Sequence, residues 1–391
     1  MPMKLSSRVK NVSASVTLAV TAKAKKMKQE GIDVIGFGSG EPDFDTPQEI
    51  KDAAIKAINN GLTKYTPASG TDDLKQAICD KFKRDNSLDY KPSQIVVSCG
   101  AKHSIYNIIQ AICDRGDEVI IPSPFWLSYP EMVSLAEGRA VFIETDERSD
   151  FKMSPDKFKA AITKKTKALI LNSPSNPTGC VYSAAELKDI AEIAVKNDIL
   201  VISDEIYEKI LFNGRKHESI ASAGGGIFKS TVVVNGVSKS FAMTGWRIGY
   251  IASPDDELIS AVKNLQSHST SNPASISQAA SLEAVRGGEK SVEQMVAEFE
   301  KRRDYITERV NAIKGLSCFK PEGAFYVFCR IENKDLSGIK LTERLLEEAG
   351  VAVVPGEPFG SGKHIRLSFA TGMDNIRNGM DRIEEWFKHS V

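Results

Sequence analysis

The sequence has no long apolar run, no excess of either charge and no clustered cysteines. Its 391 residues include 51 basic and 51 acidic side chains, so the formal net charge is zero. Balanced charge argues against a nucleic-acid binder that works through a global basic field. No stretch approaches the roughly 20 consecutive apolar residues that a membrane-spanning helix needs. With 41% hydrophobic and 26% charged residues, the composition is typical of a soluble globular chain and excludes a disordered one.

Cysteine and histidine are both scarce and scattered. The six cysteines form no CxxC pair, and the five histidines form no HExxH pair or other ligand-like spacing. Isolated cysteines are typical of reduced thiols in a cytoplasmic protein and not of a disulfide framework. We therefore expect a cytoplasmic protein with no metal site.

Acidic residues are missing before Glu30, which leaves two interpretations of the N-terminus. A targeting peptide is one, because residues 14–22 are small or apolar. An amphipathic helix is the other, with a polar face that carries several lysines between Lys23 and Lys28. The apolar stretch is short and interrupted by Ser and Thr, so we favour the helix.

Short apolar runs alternate with helical patterns through the middle of the sequence. Ser183 and Glu186 form a capping box, and Ser154 precedes Pro155 as an N-cap precedes the first helical position. Continuous β-branched runs are typical of strands covered on both faces. The alternation predicts an α/β fold with a mainly parallel sheet flanked by helices. The runs that we expect to form its strands are Ile95–Ser98, Glu118–Ile121, Lys167–Asn172, Ile199–Ser203 and Thr231–Asn235.

The chain is longer than the ~250–300 residues at which a single core stops growing, so we expect two domains. Towards the C-terminus the pattern changes to long helices, followed by apolar runs at 324–330 and 364–369. This mixture predicts a smaller α+β domain. We assign residues 48–284 to the large domain, and residues 1–47 together with 285–391 to the small one.

Several chemistry-bearing residues follow the predicted strands, at the edge where α/β sheets bind ligands. Gly100, Ala101 and Lys102 open a helix directly after one strand. A helix N-terminus with a glycine suits an anion, phosphate above all, although many such joints are only structural turns. The spacing of Gly36, Gly38 and Gly40 resembles a dinucleotide fingerprint, but no helix signal follows it, so we reject that interpretation.

Three further strand ends carry polar groups. Asp204 ends a buried run and needs a partner, such as a helix cap or an ion pair. Asn176 lies in a turn rich in Pro and Gly, and Lys239 lies on a loop of small residues, eight residues before Arg247. Taken alone, Lys239 would be an ordinary solvated lysine. A phosphate-bearing aldehyde cofactor that forms a Schiff base with Lys239 explains all of these features together.

The motifs around these residues identify a family. They are Gly40–Pro47, Lys64–Tyr65, Pro124–Pro130, Asn172–Gly179, Asp204–Tyr207, Gly236–Gly249 and His364–Ser368. With them the chain resembles the class-I pyridoxal-phosphate aminotransferases, most closely their bacterial aspartate aminotransferase branch. The resemblance extends from about Ser6 to the C-terminal helix, so we expect no targeting peptide before it.

This resemblance implies that pyridoxal 5'-phosphate is the cofactor. Lys239 would form the Schiff base and then move the proton between the substrate α-carbon and the cofactor. Asp204 would pair with the pyridinium nitrogen of the ring. The remaining implied contacts are hydrogen bonds to the phenolic oxygen from Tyr207 and Asn176, ring stacking by Trp126, and phosphate binding by Arg247, Ser238, Gly100, Ala101 and Lys102.

The resemblance also implies how the substrate binds. Arg366 would hold the α-carboxylate bidentately, helped by Asn176, Trp126 and the Gly40 backbone. The segment 267–273 lacks the arginine that many members use for a second carboxylate.

In the bacterial branch a lysine takes over the second carboxylate, and Lys102 matches it, with the hydroxyls of Ser15 and Thr17 as further contacts. A lysine is poorly placed for the dipole at a helix start, which hints at a nearby anion, although Lys102 could be merely solvated.

Two positions bear on the assembly and on the phosphate. Tyr65 would reach the phosphate of the neighbouring subunit's site, which implies a homodimer with shared active sites. Position 236 is glycine, where many relatives place a serine that binds phosphate.

The implied activity is transfer of an amino group from an L-amino acid, aspartate first, to 2-oxoglutarate by a ping-pong Schiff-base mechanism. Aromatic, alanine, kynurenine or glutamine, and prephenate aminotransferases share the α-carboxylate machinery and stay open. A pyridoxal-phosphate-dependent C–S lyase would use the same Lys239 and Asp204. A non-catalytic regulator would carry a DNA-binding extension, which we do not expect before Leu5 or after Phe387. The expected partners are small amino and 2-oxo acids, without nucleic acid or membrane.

Overall fold

The computed structural model describes residues 4–13 and 16–390. Its helices are α1 (Ser7–Lys10), α2 (Val16–Gln29), α3 (Gln48–Asn59), α4 (Asp72–Asn86), α5 (Ala101–Ile112), α6 (Ser128–Leu135), α7 (Pro155–Ala161), α8 (Ala184–Lys196), α9 (Asp256–Ser267), α10 (Ser275–Gly287), α11 (Glu289–Ala312), α12 (Gly338–Glu348) and α13 (Met373–Ser390). The expected N-terminal helix is therefore present as α2. None of the helices in the described ranges is long and apolar enough to cross a membrane.

The strands form three sheets. They are β1 (Ile35–Gly36), β2 (Ile95–Ser98), β3 (Glu118–Ser123), β4 (Arg139–Glu144), β5 (Thr166–Asn172), β6 (Leu200–Asp204), β7 (Thr231–Gly236), β8 (Gly249–Ala252), β9 (Leu316–Cys318), β10 (Tyr326–Ile331), β11 (Val351–Ala352), β12 (Val354–Pro355) and β13 (His364–Ser368). All five predicted strands of the middle region are confirmed. The bounds of β2 match the prediction, and the ends of the other four differ by one or two residues, as in β3, which continues to Ser123 because Ser123 still pairs with Glu144 of β4.

The largest sheet has the strand order β2-β8-β7-β6-β5-β3-β4. It is parallel except for β8, which runs antiparallel to both of its neighbours. Successive residues of one strand enter separate apolar cores, as Val201 and Ile202 of β6 do, because side chains alternate across a sheet. Both faces are thus buried, and the predicted α/β fold with a mainly parallel sheet is confirmed.

The two predicted helix starts are also confirmed. The Ser183 backbone N–H donates to the Glu186 carboxylate at 2.7 Å, and the Glu186 N–H donates to Ser183 Oγ at 3.4 Å, which closes the capping box of α8. Ser154 Oγ accepts the Lys157 N–H at 3.3 Å, and Pro155 begins α7.

The C-terminal part of the chain forms a second, antiparallel sheet of order β12-β13-β10-β9. In its centre, Phe328 of β10 lies opposite Arg366 of β13. The short strand β1 pairs in parallel with β11, which joins the N-terminal part of the chain to this region. Helices α11 and α13 pack on the same core.

The carboxyl ends of the parallel strands meet at one edge of the large sheet. Asn172 at the end of β5 lies opposite Asp204 at the end of β6. Gly236 at the end of β7 lies opposite Gly249 of β8, and Ser98 at the end of β2 lies opposite the same Gly249. The topology therefore gathers residues that are far apart in sequence at one edge.

Candidate active site

A cavity of about 500 Å³ opens at this edge, between the large sheet and the antiparallel sheet. Four basic and two acidic side chains line it. The sequence-predicted site residues that the cavity brings together are Gly40, Ala101, Lys102, Trp126, Asn176, Asp204, Tyr207, Ser238, Lys239, Arg247 and Arg366.

Lys239 follows β7 and extends into the cavity. Its ammonium donates a hydrogen bond to the Gly40 carbonyl oxygen and lies 5.9 Å from the ring centroids of both Tyr207 and Phe325. Burial lowers the pKa of Lys239 to about 8, against the opposing effect of the Glu41 carboxylate. A lysine with this pKa supplies a neutral, nucleophilic amine close to physiological pH.

Asp204 ends β6 on the floor of the cavity and is 3% exposed. Its Oδ2 accepts the Tyr129 hydroxyl at 2.7 Å, and its Oδ1 accepts the Ile206 N–H at 3.2 Å. Burial raises the pKa of Asp204 to about 6, although the Tyr129 hydrogen bond opposes the rise. A buried carboxylate held by two neutral donors is suited to receive a cationic N–H group.

Arg366 enters from β13 and is 2% exposed. It donates from Nη1 to Asn176 Oδ1 at 2.9 Å and from Nη2 to the Gly38 carbonyl oxygen at 3.2 Å. Its Nε is buried and has no hydrogen-bond partner among the residues that the structure describes. Burial lowers the pKa of Arg366. A buried guanidinium that has only neutral acceptors and one unsatisfied N–H is a receptor for a carboxylate.

Two tyrosines connect these groups. The Tyr207 and Tyr326 hydroxyls lie 2.9 Å apart, and the Arg366 guanidinium lies over the Tyr326 ring, 4.3 Å from its centroid. Burial raises the pKa of Tyr207 well above its ordinary value. The Tyr207 hydroxyl therefore stays protonated and can donate a hydrogen bond into the cavity.

Glycines shape the corner where α5 begins. Gly100 has a φ of 94° and precedes Ala101 at the helix start, and a Cβ at Gly100 would lie 2.6 Å from Nη2 of Arg247. A Cβ at Gly249 would lie 2.1 Å from the Ala101 nitrogen. Only glycine lets the guanidinium and β8 come this close to a helix start, whose first N–H groups have no partner within the helix. The corner is built for an anion.

The close packing of β7 against β8 explains why position 236 is glycine. A Cβ there would lie 2.9 Å from the Gly249 Cα and 2.9 Å from the Ile248 carbonyl oxygen. A serine would therefore force β7 and β8 apart. This chain has no room here for the serine hydroxyl that the family resemblance led us to consider.

Lys102 and Trp126 form the outer wall. The Lys102 ammonium lies 4.8 Å from the centroid of the Trp126 ring, and that ring contacts Tyr129 edge-on at 5.3 Å between centroids. Burial lowers the pKa of Lys102, and the Arg247 charge adds to this effect. Lys102 is an exposed residue, and its ammonium, held over an aromatic ring at the cavity mouth, favours an incoming anion.

Of the predicted residues that the structure describes, Gly100 and Tyr65 do not line the cavity. Gly100 lies just behind it, against Arg247. Tyr65 is 90% exposed, beside Leu62 on a separate surface. Ser15 and the side chain of Thr17 lie outside the described part of the structure.

Sequence reasoning missed three contributors, Tyr129, Tyr326 and the carbonyl of Gly38. Tyr129 falls within the segment 124–130 that carried the family resemblance, and a buried tyrosine hydroxyl needs a partner. Nothing in the sequence pairs it with Asp204, because that contact spans 75 positions. Tyr326 lies in the apolar run 324–330, and the pattern of that run does not show which of its side chains face the cavity.

Comparisons with known proteins agree with this geometry. A family model described as "Aminotransferase class I and II" matches residues 32–383. The aspartate aminotransferase of Bacillus subtilis (strain 168) is 51% identical over 394 residues, which cover 99% of this chain and 100% of that protein. This chain belongs to the class I and II aminotransferases.

Further relatives of this aminotransferase cover nearly its whole length. The aspartate/prephenate aminotransferase of Nitrosomonas europaea is 49% identical and spans 97% of this chain and 99% of its own. The crystal structure of the aspartate aminotransferase from Rhizobium meliloti matches with a TM-score of 0.95 at 42% identity, over 99% of both chains. The Thermus thermophilus aspartate aminotransferase with maleate matches with a TM-score of 0.94 at 43% identity, over 98% of this chain and 99% of the other.

Aminotransferases of this family depend on pyridoxal 5'-phosphate, and the residues present here fit that group. The corner at Gly100 and Arg247 suits its phosphate, and the Asp204 carboxylate, which two neutral donors hold, suits its ring nitrogen. The pKa of Lys239, lowered to about 8, leaves a share of its amine neutral near physiological pH, as a Schiff-base lysine needs. The aminotransferase therefore has a matching donor set for each polar end of the cofactor.

Proposed function

We propose that this aminotransferase transfers the amino group of L-aspartate to 2-oxoglutarate. The observation that carries the proposal is the buried Arg366 guanidinium with its unsatisfied Nε, in a cavity with more basic than acidic side chains. An α-carboxylate would satisfy Arg366, and a second carboxylate would meet Lys102. The names of the relatives support aspartate, and the Thermus thermophilus structure holds maleate, itself a dicarboxylate.

In this proposal each part of the cofactor has its own residues. Asp204 would pair with the ring nitrogen, and Arg247 with the start of α5 (Gly100, Ala101 and Lys102) and Ser238 would hold the phosphate. Tyr207 and Asn176 would donate to the phenolic oxygen, and Trp126 would cover the ring. When bound, pyridoxal phosphate supplies the aldehyde that carries the amino group and the ring that accepts electrons from the substrate α-carbon.

Lys239 moves the proton. Its amine, with a pKa of about 8, would take the proton from the substrate α-carbon and deliver it to the aldehyde carbon of the bound cofactor. Tyr207 stays protonated and donates, while Asp204 stays ionised once a cationic group lies against it, because an adjacent positive charge lowers a carboxyl pKa.

The two ends of the substrate would bind to separate elements. Arg366, on β13, would grip the α-carboxylate together with Asn176 and the Gly40 backbone, and its planar fork fixes the orientation of the α-carbon. Lys102, at the start of α5, would hold the distal carboxylate as a point charge. Ser15 and Thr17 stay predicted contacts of that same carboxylate.

We propose a homodimer with shared active sites. Tyr65 is 90% exposed, and Ile55, Ile58 and Leu62 nearby are 53%, 50% and 39% exposed. These apolar side chains form one surface on α3 and the segment after it, which a second copy of the chain would bury. Tyr65 would then reach the phosphate in the partner's site.

We also propose the division into residues 48–284 and residues 1–47 with 285–391. The large sheet lies wholly in the first range, and the antiparallel sheet lies wholly in the second. The β1–β11 pairing supports the inclusion of the N-terminal residues in the small domain. The six free thiols support a reducing, cytoplasmic location.

The experiment is a substrate panel with wild type and Lys102→Met. A hydrogen bond to a charged group contributes about 1.5–3 kcal/mol, so kcat/KM for aspartate should fall roughly ten- to hundred-fold in the variant. Phenylalanine, which has no distal carboxylate, should be spared, and the wild type should keep measurable activity on neutral amino acids. Lys188→Met, at an exposed lysine of α8, is the matched control.

Two outcomes would contradict the proposal. Equal losses for aspartate, glutamate and phenylalanine would mean that Lys102 serves the cofactor and not the choice of substrate. Turnover without any 2-oxo acid would indicate the C–S lyase activity instead. Prephenate belongs in the panel as an acceptor, because the Nitrosomonas europaea relative is named for it.

A further inference from the structure

Two cysteines lie directly opposite each other in the antiparallel sheet. Cys318 of β9 pairs with Cys329 of β10, in register with Ser317 opposite Arg330. Both are free thiols, and both pack on the same apolar core. Their side chains therefore lie on one face of the sheet.

The hydrogen-bond pattern shows which kind of pair they form. The Glu332 N–H donates to the Gly315 carbonyl oxygen at 3.0 Å, and bonded and non-bonded pairs alternate along an antiparallel ladder. Gly315 and Glu332 are thus a hydrogen-bonded pair. Three positions further along the ladder, Cys318 and Cys329 are a non-hydrogen-bonded pair. Asn311 agrees with this count, because its side chain accepts the Cys318 N–H at 2.9 Å and donates to the Cys318 carbonyl oxygen at 3.4 Å.

Non-hydrogen-bonded pairs bring their Cα atoms to about 4.5 Å and their side chains close together. This spacing falls within the range of about 4.4–6.8 Å that disulfides span. We propose that Cys318 and Cys329 are an oxidation-sensitive dithiol, which closes to a disulfide when a hydroperoxide reaches Cys318.

The two thiols differ in access, which sets the order of events. Cys318 is half-buried, whereas Cys329 is fully buried. Burial raises the pKa of the Cys329 thiol, and the Cys318 thiol beside it raises that pKa further. Cys318 is therefore the thiol that meets the oxidant, and Cys329 is the thiol that resolves it.

The reaction balances with one hydroperoxide. The Cys318 thiolate attacks a peroxide oxygen, the O–O bond breaks, and a sulfenic acid and one water or alcohol result. The Cys329 sulfur then attacks the Cys318 sulfur, and the S–OH oxygen leaves as water with the Cys329 proton. Two thiols lose two electrons in total, and the hydroperoxide gains them.

The disulfide would lie away from the active site. Side chains alternate along β10, so Cys329 and the cavity residue Tyr326 lie on opposite faces. Closure would tie β9 to β10 across a short loop, which stabilises the folded chain. We expect oxidation to raise the thermal midpoint by roughly 2–5 °C and to change kcat/KM less than twofold.

The test exposes the holoenzyme to hydrogen peroxide, blocks free thiols and maps the digest by mass spectrometry. The expected result is one peptide pair joined through Cys318 and Cys329, which dithiothreitol releases. Cys318→Ser should abolish this pair, whereas Cys113→Ser, at another half-buried thiol, should leave it unchanged.

Other mapping results would overturn the inference. They include a disulfide to a different cysteine, or sulfinic acid at Cys318 with Cys329 still reduced. A peroxide-treated protein with both thiols free would overturn it as well. None of these readouts depends on the substrate, so they are separate from the test of the proposed activity.

Discussion

Two charge clusters flank one short segment, residues 204–208. Asp204 lines the active-site cavity, whereas Glu205 and Glu208 lie in a buried cluster with Lys81 and His217. The cavity holds four basic and two acidic side chains. The second cluster holds two of each, and its charges are paired.

The pairing in the second cluster is close and complete for both carboxylates. Lys81 forms an ion pair with Glu208, with both side chains 5% exposed. His217 Nε2 lies 2.9 Å from Glu205 Oε2. Burial opposes the ionised form of Glu208, but Lys81 outweighs it and lowers the pKa of that carboxyl.

This difference in charge balance distinguishes a cluster that stabilises the fold from one that is suited to bind ligands. A balanced buried cluster satisfies its own charges, so it positions the segment and needs no ligand. In the cavity, basic side chains outnumber acidic ones, which favours anionic ligands, here the proposed phosphate and carboxylates. Glu205, Glu208 and His217 could offer ligand atoms to a metal within 4.8 Å of one another, but Lys81 already neutralises Glu208.

The largest effect on activity should come from a change in the active-site cavity, where basic side chains outnumber acidic ones. Lys239→Ala removes the amine that we propose binds the cofactor and moves the proton, so turnover should fall about ten-thousand-fold or more. The pH-dependent absorption of the bound cofactor should disappear, while the free energy of unfolding changes little. Lys188→Ala is the control, and a Lys239→Ala protein that keeps the absorption would refute the assignment.

The next largest effect should come from a change in the second, charge-balanced cluster, and it should lower the free energy of unfolding. Lys81→Met leaves Glu208 buried without its partner, which should lower the free energy of unfolding by about 3–5 kcal/mol. The double variant Lys81→Met/Glu208→Gln should recover most of that loss, since no buried charge is left unpaired. Urea unfolding of the three proteins measures both values. If Lys81→Met instead weakened cofactor binding at unchanged stability, the comparison would fail.

Tyr129→Phe should give a smaller effect, because it removes one donor from Asp204. That hydrogen bond stabilises the ionised carboxylate, so its loss raises the pKa of Asp204 above about 6. Cofactor affinity of the apoenzyme should fall as the pH drops through this pKa, and the fall should begin at a higher pH in the variant. We expect kcat to decrease roughly ten-fold. Tyr106→Phe, on the half-buried face of α5, should change neither quantity.

The smallest effect should be a pH dependence from His217. Burial opposes its charge, but the Glu205 carboxylate outweighs burial and raises the pKa of His217 above 6.5. Because the folded-state pKa is raised, the stabilisation is fully present below pH 6.5 and is lost as the pH rises through the folded-state value. Unfolding curves between pH 6 and 9 should show this loss in wild type and not in His217→Gln, and parallel curves would speak against it.

Local patterns predicted the strands and helix starts well because their causes are local. The run Ile95–Ser98 and the Ser183 capping box needed only residues within a few positions of one another. The family motifs likewise placed Lys239, Asp204 and Arg366, and the cavity brings all three together. The Tyr129–Asp204 and Tyr326–Tyr207 contacts were not predictable, because they join positions 75 and 119 residues apart.

The alternation of strands and helices, the order of the motifs and the chemistry that each motif can perform all follow from the residue order. Which charges are balanced follows instead from how distant segments pack. Asp204 and Glu205 are neighbours with the same acidic chemistry, yet one lies beside Tyr129 in a cavity rich in positive charge and the other beside His217. The reason is physical: a carboxylate's role depends on the charges and donors that surround it, and the packing of distant segments supplies those.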